Sequence, residues 1–278
     1  MNTSRRKFLQ TAALGAAALG LKADPLGFPI GCQTWPVRDV LAKDFDGTLK
    51  LLAGMGYQRI EMCSPLGYAK GGYGPLVGIK ASDMKERIQA AGLGCESCHF
   101  QYRELQDNLD DRISFAKELG LKQMVLSTFG LPADASMSDW SQAAHNLNKI
   151  AEQIHKAGLQ AGFHNHNFEF HEIDGVLVYD KLMSEFDPKL IKMQFQVSVI
   201  AHGYEAATYF NKYPGRFLSI HLQDWNPDQK KEVAIGQGIV NWKKTFEAAK
   251  TGGAKNYFVE LEMPDLQPSE QYLKTLKT

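Results

Sequence analysis

The most constraining feature of the sequence is an eightfold alternation of short apolar runs with segments of helical spacing. From Pro25 onward the strand-like runs read FPIGCQTW, YQRIEMC, GCESCHF, KQMVLSTF, LQAGFHNHNFEF, IKMQFQVSVI, RFLSIHLQDW and NYFVELEM. Several of the segments between them end in glycine, which commonly closes a helix before the next strand. Eight such units predict a (β/α)₈ TIM barrel, with a doubly wound open sheet as the weaker alternative. No linker divides residues 24–278, which are therefore predicted to form one domain.

The N-terminal segment SRRKFLQTAALGAAALGLKA has the pattern of an export signal. Arg5 and Arg6 precede an Ala/Gly-rich apolar run that ends near Leu21, which is typical of a twin-arginine signal. The run is too short and too weakly apolar to span a bilayer comfortably. We therefore predict a signal peptide over residues 1–23 and an exported, periplasmic protein with no membrane span after cleavage.

Charge and cysteine content exclude two classes of site. Lys+Arg and Asp+Glu both number 31, so the chain lacks the basic footprint of a nucleic-acid binder and no nucleic-acid partner is expected. Cys95 and Cys98 form a CxxC without a second pair at zinc-ribbon spacing. The cysteines are therefore interpreted as small buried side chains, not as a metal framework.

Polar residues end several of the predicted strands. In a TIM barrel the chemistry lies at the carboxyl ends of the strands, so these residues are candidates by position. Two imidazoles, one amide oxygen and one carboxylate end strands five to eight, a suitable ligand set for one Mn, Zn, Co or Fe ion: His164, Gln196, His221 and Glu260. Each alone would more often be structural. Because side chains alternate along a strand, Gln194 and Ser198 share the face of Gln196, and its register stays open.

The chain as a whole resembles the sugar isomerase/epimerase-like barrels related to xylose isomerase and endonuclease IV. The resemblance runs in order through GCQTWPVRD, GYQRIEM, GFHNHNFEF, YPGRFLSIHLQDW, GQGIVNW and NYFVELE. It implies a TIM barrel, a carbohydrate substrate and a divalent metal. In the family's ketose epimerases the metal is held by Glu, Asp, His and Glu, and those places fall at His164, Gln196, His221 and Glu260. The first two carboxylates are thus replaced here.

The same replacement affects the acid and base that the resemblance implies. The epimerases use two metal-bound glutamates to move the proton next to the carbonyl, and only Glu260 remains of that pair. His166 and His99 are the candidates for the missing partner, because imidazole titrates near neutral pH. Glu169, on the opposite strand parity, is expected either to orient a histidine or to pair with an outer helix.

Three functions remain open after these observations. The first is a metal-dependent isomerase or epimerase that removes the proton α to the carbonyl of a keto sugar. The second is a 3-keto-glycoside lyase on the same scaffold, and the third is a non-catalytic sugar-binding barrel. A nuclease is disfavoured by the neutral charge and the export signal. Substrate contacts are assigned to Trp35, Glu61, Phe100 and Trp225, with Arg38 as a substrate or loop contact.

Overall fold

The computed structural model describes residues 27–276. Eight parallel strands among them close into a barrel in which β1 pairs with both β2 and β8 and the other strands pair in chain order. This confirms the predicted TIM barrel. The predicted signal peptide, residues 1–23, lies outside the described residues. The strands are β1 (Gly31–Gln33), β2 (Arg59–Cys63), β3 (Gly94–Phe100), β4 (Gln123–Leu126), β5 (Gln160–His164), β6 (Ile191–Gln196), β7 (Phe217–Leu222) and β8 (Asn256–Val259).

Helices form the outer layer of the barrel. In the described residues they are α1 (Arg38–Lys43), α2 (Phe45–Met55), α3 (Ala81–Ala90), α4 (Tyr102–Asp107), α5 (Leu109–Leu119), α6 (Met137–Lys156), α7 (Val178–Glu185), α8 (Ala206–Lys212), α9 (Trp242–Gly252) and α10 (Met263–Leu273). None of the helices found in residues 27–276 is long and apolar enough to cross a membrane.

The longest helix, α6, shows how the sequence specifies this layer. Ser136 and Asp139 exchange hydrogen bonds between side chain and backbone at its start, which is the capping-box pattern that begins a helix. Helical spacing then places apolar residues on one buried stripe that packs toward β5: Trp140, Ala144, Leu147, Ala151 and Ile154.

The barrel closes where β1 meets β8, and a glycine makes this closure possible. Gly31 pairs with Phe258, and a Cβ atom on Gly31 would lie 2.4 Å from the Phe258 ring. No larger residue fits at this distance without moving the strand.

The barrel interior is polar toward the carboxyl ends of the strands. Alternation along the strands turns Phe100 onto Phe115 of α5 and Phe195 onto Tyr209 of α8. The intervening residues point into the barrel, where they bond to one another. Branched apolar side chains usually fill this space in a TIM barrel, so the polar filling marks the region of the site.

The fifth strand is shorter than the sequence predicts. The expected strand extends to Phe170, but β5 ends at His164 and Asn167–Glu169 form a 3₁₀ turn. Oε2 of the Glu169 carboxyl group accepts a hydrogen bond of 2.7 Å from the backbone N–H of His166, at the point where the chain leaves the sheet. Two hairpins were also not predicted: Glu172–Ile173 with Val176–Leu177, and Asp224–Asn226 with Lys231–Val233.

Candidate active site

A polar network crosses the barrel and centres on Glu61, at the middle of β2. Oε1 of Glu61 accepts hydrogen bonds from Ser97 Oγ at 2.5 Å and from Gln194 Nε2 at 2.8 Å. Its Oε2 lies 2.8 Å from Gln33 Nε2, which donates to it, and 2.5 Å from His221 Nε2. Glu61 is fully buried and lines none of the cavities described below. The geometry therefore gives no support to a direct substrate contact at Glu61, and supports a role in holding its neighbours.

His221 bridges two carboxylates. Its Nδ1 lies 2.9 Å from Glu260 Oε2 on one side, and its Nε2 faces Glu61 on the other. Burial alone would lower the pKa of His221, but the negative charges of Glu260 and Glu61 raise it to about 9. Burial would raise the pKa of Glu61, but His99 and His221 lower it to about 2. In this arrangement an imidazolium lies between two carboxylates at neutral pH.

Three imidazoles meet next to this bridge. The ring nitrogens of His99, His164 and His221 lie within 4.8 Å of one another, and the rings of His164 and His221 are 4.5 Å apart. Burial lowers the pKa of His99 and lowers that of His164 well below its usual value. Nδ1 of His164 is buried and has no hydrogen-bond partner among the described residues. His164 and Glu260 line the same cavity, and an imidazole nitrogen and a carboxylate oxygen are donors that divalent transition metals take.

The expected ligand set is therefore only partly reproduced by the contacts. His164, His221 and Glu260 lie together as predicted. Gln196 also reaches the group, but its Nε2 donates to Glu260 Oε2 at 2.5 Å, so its amide faces a carboxylate in this structure. His99, expected only as an acid or base, joins the imidazole cluster. The role of each residue as a metal ligand stays a prediction.

The register of Gln196 is settled by the strand pairing. Gln196 is level with His221 on the neighbouring strand and lines the main cavity described below. Gln194 lies one step deeper, where its Nε2 donates to Glu61 and to Ser219 Oγ. Gln194 thus belongs to the network below the site, and Gln196 belongs to its wall.

Two cavities lie above the network. The main cavity, of about 480 Å³, has Trp35, Arg38, His166, Gln196 and Glu260 in its wall. The inner cavity, of about 240 Å³, is lined by the same Trp35, His166 and Glu260 together with side chains from β3 and β5, His99 and His164. The main cavity is within the size range of small-molecule sites, and the three shared residues face both spaces.

His166 follows β5 and is held by its backbone. Its ring is 4.7 Å from the ring of His164, as the strand alternation predicts. Burial lowers the pKa of His166 to about 4, so the ring is neutral at pH 7. Glu169 accepts from the His166 backbone N–H and makes no ion pair within the described residues. Glu169 therefore orients the chain at His166, and the expected pairing with an outer helix is wrong for this structure.

Trp35 forms a fixed wall between the two cavities. Its ring stacks on Tyr73 at 6.5 Å and an interplanar angle of 8°. The guanidinium of Arg38 lies 4.3 Å above the Trp35 ring and donates to its carbonyl at 2.8 Å, which is a cation–π contact. Arg38 is thus a loop contact that also lines the main cavity.

The two other aromatic candidates differ from each other. Trp225 lies on the hairpin after β7 and lines the main cavity. Phe100 is fully buried, and its ring packs against Phe115 of α5 at 6.5 Å. The geometry thus gives no support to the expected sugar contact at Phe100, because the side chain points away from the barrel interior.

Asp224 is a structural residue of the site that the sequence analysis missed. It is buried and accepts hydrogen bonds from the backbone N–H groups of Trp225, Gly236 and Val240 and from Nε1 of Trp242. These donors hold the loop GQGIVNW against the hairpin that carries Trp225. The sequence shows both strings, but nothing local to either indicates that one carboxylate joins them.

A closed (β/α)₈ barrel with histidines and carboxylates gathered inside its carboxyl end defines a TIM-barrel protein with a candidate metal site. Residues 49–277 match the family described as xylose isomerase-like TIM barrel, and the chain belongs to that family.

Among curated proteins, the chain is similar to an inosose dehydratase of Lacticaseibacillus casei. The two are 22% identical over 160 residues, which cover 50% of this chain and 53% of that protein. The chain thus matches about half the length of the curated relatives that it resembles first.

Two solved structures share the fold. A sugar phosphate isomerase/epimerase from Parabacteroides distasonis ATCC 8503 is 23% identical, with a TM-score of 0.75 and coverage of 95% of this chain and 97% of that one. An IOLI protein with a bound zinc atom is 11% identical, with a TM-score of 0.64 and coverage of 89% and 94%.

Proposed function

We propose that this protein is a divalent-metal-dependent enzyme that removes the proton α to the carbonyl of a keto sugar and isomerises or epimerises it. The observation that carries the proposal is the convergence of His166, Glu260 and the unpartnered Nδ1 of His164 at the junction of two cavities. An imidazole, a carboxylate and a free donor atom at one place are what proton transfer next to a carbonyl requires.

The residues that would hold the metal are His164, His221 and Glu260, with Gln196 or His99 beside them. A bound divalent ion would act as a Lewis acid that polarises the substrate carbonyl and acidifies the neighbouring proton. Both ring nitrogens of His221 face carboxylates in the present arrangement, so one of them would have to be free of a proton and exchange its carboxylate contact for the ion.

The chain's own residues supply the remaining functions. His166 faces both cavities and accepts the α-proton. Glu260 is oriented by Gln196 and His221 and is the one family carboxylate available to return a proton. Trp35 and Trp225 offer flat apolar surfaces to a sugar ring.

A lyase is the second candidate, and two observations favour it. The curated relatives are named dehydratases, and only Glu260 remains of the two carboxylates that reversible epimerisation uses in the family. In a β-elimination the C–H electron pair forms a C=C bond and the C–O bond to the leaving group breaks. The oxygen departs with its electron pair and takes up a proton, so no further reactant is needed.

The test combines metal analysis with hydrogen exchange. Protein purified without chelator is expected to hold about one divalent ion per chain, which His221→Ala and Glu260→Ala each remove. His155→Ala, an exposed change on α6, is the matched control. In D₂O, a ketose or a 3-keto-glucoside should lose its α-hydrogen signal by NMR, and the products distinguish isomerisation from elimination. Absence of both metal and exchange would support the non-catalytic sugar-binding barrel.

We also propose that the protein is exported by the twin-arginine pathway. The support is the Arg5-Arg6 pair and the apolar run behind it. Replacing both arginines with lysine should retain the protein in the cytoplasm, measured by cell fractionation. Unchanged export of that variant would contradict the proposal.

A further inference from the structure

A third cavity, of about 390 Å³, lies at the same end of the barrel as the site; we call it the side cavity. One wall follows β4 and runs from Thr128 to Ala133, and the other contains Trp140 of α6 and two residues that follow β5, Phe168 and His171. Nothing assigned to the reaction above uses these residues.

The side cavity adjoins the proposed reaction centre. Thr128 lines both the side cavity and the inner cavity. The ring of Phe168 is 5.6 Å from the ring of His166, which faces the main and inner cavities. A ligand that bridges the inner and side cavities would therefore pass Thr128, with His166 in the wall of the inner cavity and Phe168 in the wall of the side cavity.

The lining of the side cavity differs in chemistry from that of the main cavity. The main cavity includes Arg38, Glu232, Glu260 and Glu262, whereas no Asp, Glu, Lys or Arg is among the described residues that line the side cavity. Its walls are mainly the apolar side chains of Leu131, Pro132, Ala133, Trp140 and Phe168. A second sugar ring would find few hydrogen-bonding partners there, but an aromatic group would bury apolar surface against aromatic walls.

The aromatic walls are held in place without a ligand. Phe168 is 56% exposed, yet its turn is fixed by a hydrogen bond from Phe170 N to Asn167 O at 3.0 Å. The carbonyl oxygen of Phe168 also lies 2.5 Å from His171 Nδ1. On the opposite wall, the Trp140 ring packs on Phe129 at 6.2 Å. Phe168 thus adds an accessible aromatic ring to a cavity whose other walls are mainly apolar, a lining typical of small-molecule sites.

We infer that the side cavity binds the aglycone of a glycoside, and that this group is aromatic or similarly flat and apolar. The sugar occupies the main and inner cavities, and the glycosidic oxygen lies near His166. The inference rests on the proposed function for the sugar part of the ligand. Binding of the aromatic group in the side cavity can be measured without metal and without turnover.

The test is equilibrium binding by calorimetry with phenyl and methyl D-glucopyranosides, each in both anomers, and with cellobiose. The full chain should bind one phenyl glucoside roughly 10-fold or more tighter than its methyl counterpart, because the aromatic ring is buried. Phe168→Ala should remove most of this advantage and leave methyl glucoside binding unchanged. The matched control is Val176→Ala, an equally simple truncation of a residue that is 45% exposed and lines none of the three cavities.

Three results would overturn the inference: equal binding of phenyl and methyl glucosides, or no binding of either; an advantage that survives Phe168→Ala; or an equal gain with cellobiose, which would assign the cavity to a second sugar. The two proposals fail separately. If the phenyl glucoside binds more tightly but no keto sugar exchanges its α-hydrogen, the proposed reaction is wrong and the side-cavity subsite stands. If exchange occurs without tighter binding of the phenyl glucoside, the subsite is wrong and the proposed reaction stands.

Discussion

The layer around Glu61 and the layer above it, which contains His164 and His166, are both buried and polar, but they differ in how completely their hydrogen bonds are made. Each oxygen of Glu61 faces two hydrogen-bonding groups. In the layer above, the Nδ1 atoms of His164 and His166 are buried without a partner in the described structure. A buried polar atom left without a partner costs about 1–3 kcal/mol. The lower layer thus contributes shape and stability, and the upper layer retains an energetic cost at the place where the proposed reaction needs donor atoms.

The largest expected effect is on the rate of α-hydrogen exchange, and it comes from a substitution in the upper layer that leaves the lower layer unchanged. His166→Ala should reduce α-hydrogen exchange by roughly 10²–10⁴-fold, the usual contribution of a positioned acid or base. The free energy of unfolding should change by less than about 1 kcal/mol, since Nδ1 of the ring has no hydrogen-bond partner in the described structure. Exchange followed by NMR and urea unfolding measure the two quantities.

His99→Ala is compared with His166→Ala to decide which of the two histidines is the base. The Nε2 of His99 lies 2.6 Å from Gln194 Oε1, so its removal should destabilise the fold as well. If His166→Ala keeps full exchange and His99→Ala abolishes it at unchanged metal content, His99 is the base. If both keep full activity while Glu260→Gln abolishes it with metal bound, a single-carboxylate mechanism is correct.

The second largest effect is on the free energy of unfolding, and it comes from a substitution in the lower layer. In Glu61→Gln an amide NH₂ group replaces one carboxylate oxygen. This group then faces the same donors from which the oxygen accepted hydrogen bonds. The expected cost is about 3 kcal/mol of unfolding free energy, because buried donors and the His221 imidazolium lose their partner. Urea unfolding measures it, with Glu96→Gln, a half-buried glutamate on β3, as the control. An unchanged midpoint would show that the network does not stabilise the barrel.

A smaller effect comes from the carboxyl group that holds the upper layer in place. Burial raises the pKa of Glu169 from its usual value near 4.5 to about 8. Between these two values the folded chain keeps a proton that the unfolded chain releases, so stability falls as the pH rises through this window and levels off above pH 8.

In Glu169→Gln the amide does not titrate, and its oxygen can still accept the hydrogen bond from the His166 backbone N–H. From pH 5 to pH 8 the wild type should therefore lose about 2 kcal/mol more stability than the variant, less than the full shift implies because a buried site relaxes on ionisation. Chemical unfolding at both pH values measures the difference. Parallel pH profiles of the two proteins would place the Glu169 carboxyl in its ordinary range.

The smallest effect concerns the wall that separates the cavities. Arg38→Met removes the cation above the Trp35 ring, a contact worth about 0.5–1 kcal/mol at a partly exposed position. The Michaelis constant should rise a few-fold with little change in turnover, because Trp35 remains but is held less firmly. A large fall in turnover with an unchanged Michaelis constant would instead place Arg38 in the chemical step.

The repeated pattern of the sequence predicts the barrel, because each β/α unit carries its own periodicity and its own stop signals. The pattern is less reliable at strand ends, where β5 stops at His164 and not at Phe170. There a single hydrogen bond from the His166 backbone to Glu169 outweighs the strand propensity of the intervening residues. Residues 1–23 lie outside the described part of the chain, and their export role stays a prediction.

The candidate site is predictable to the extent that it depends on position along a strand. His164, Gln196, His221 and Glu260 come together because parallel strands end at one edge. The partners of Glu61 are not predictable in this way, since His221 is 160 residues away and only the closed barrel brings the two into contact. The direction of the Phe100 side chain depends on its parity relative to His99 and not on its nearness to a strand end, and this parity turns the ring onto Phe115.

The anchoring of the hairpin by Asp224 has a consequence for how this scaffold diversifies. One carboxylate secures the root of the loop through four N–H donors, three of them from the backbone. Backbone donors are supplied by almost any residue, so the cavity-facing positions of the hairpin, Trp225 and Glu232, are free to vary without loosening their attachment. The lining of the main cavity can thus change through exchanges at the hairpin while the barrel beneath it is inherited unaltered.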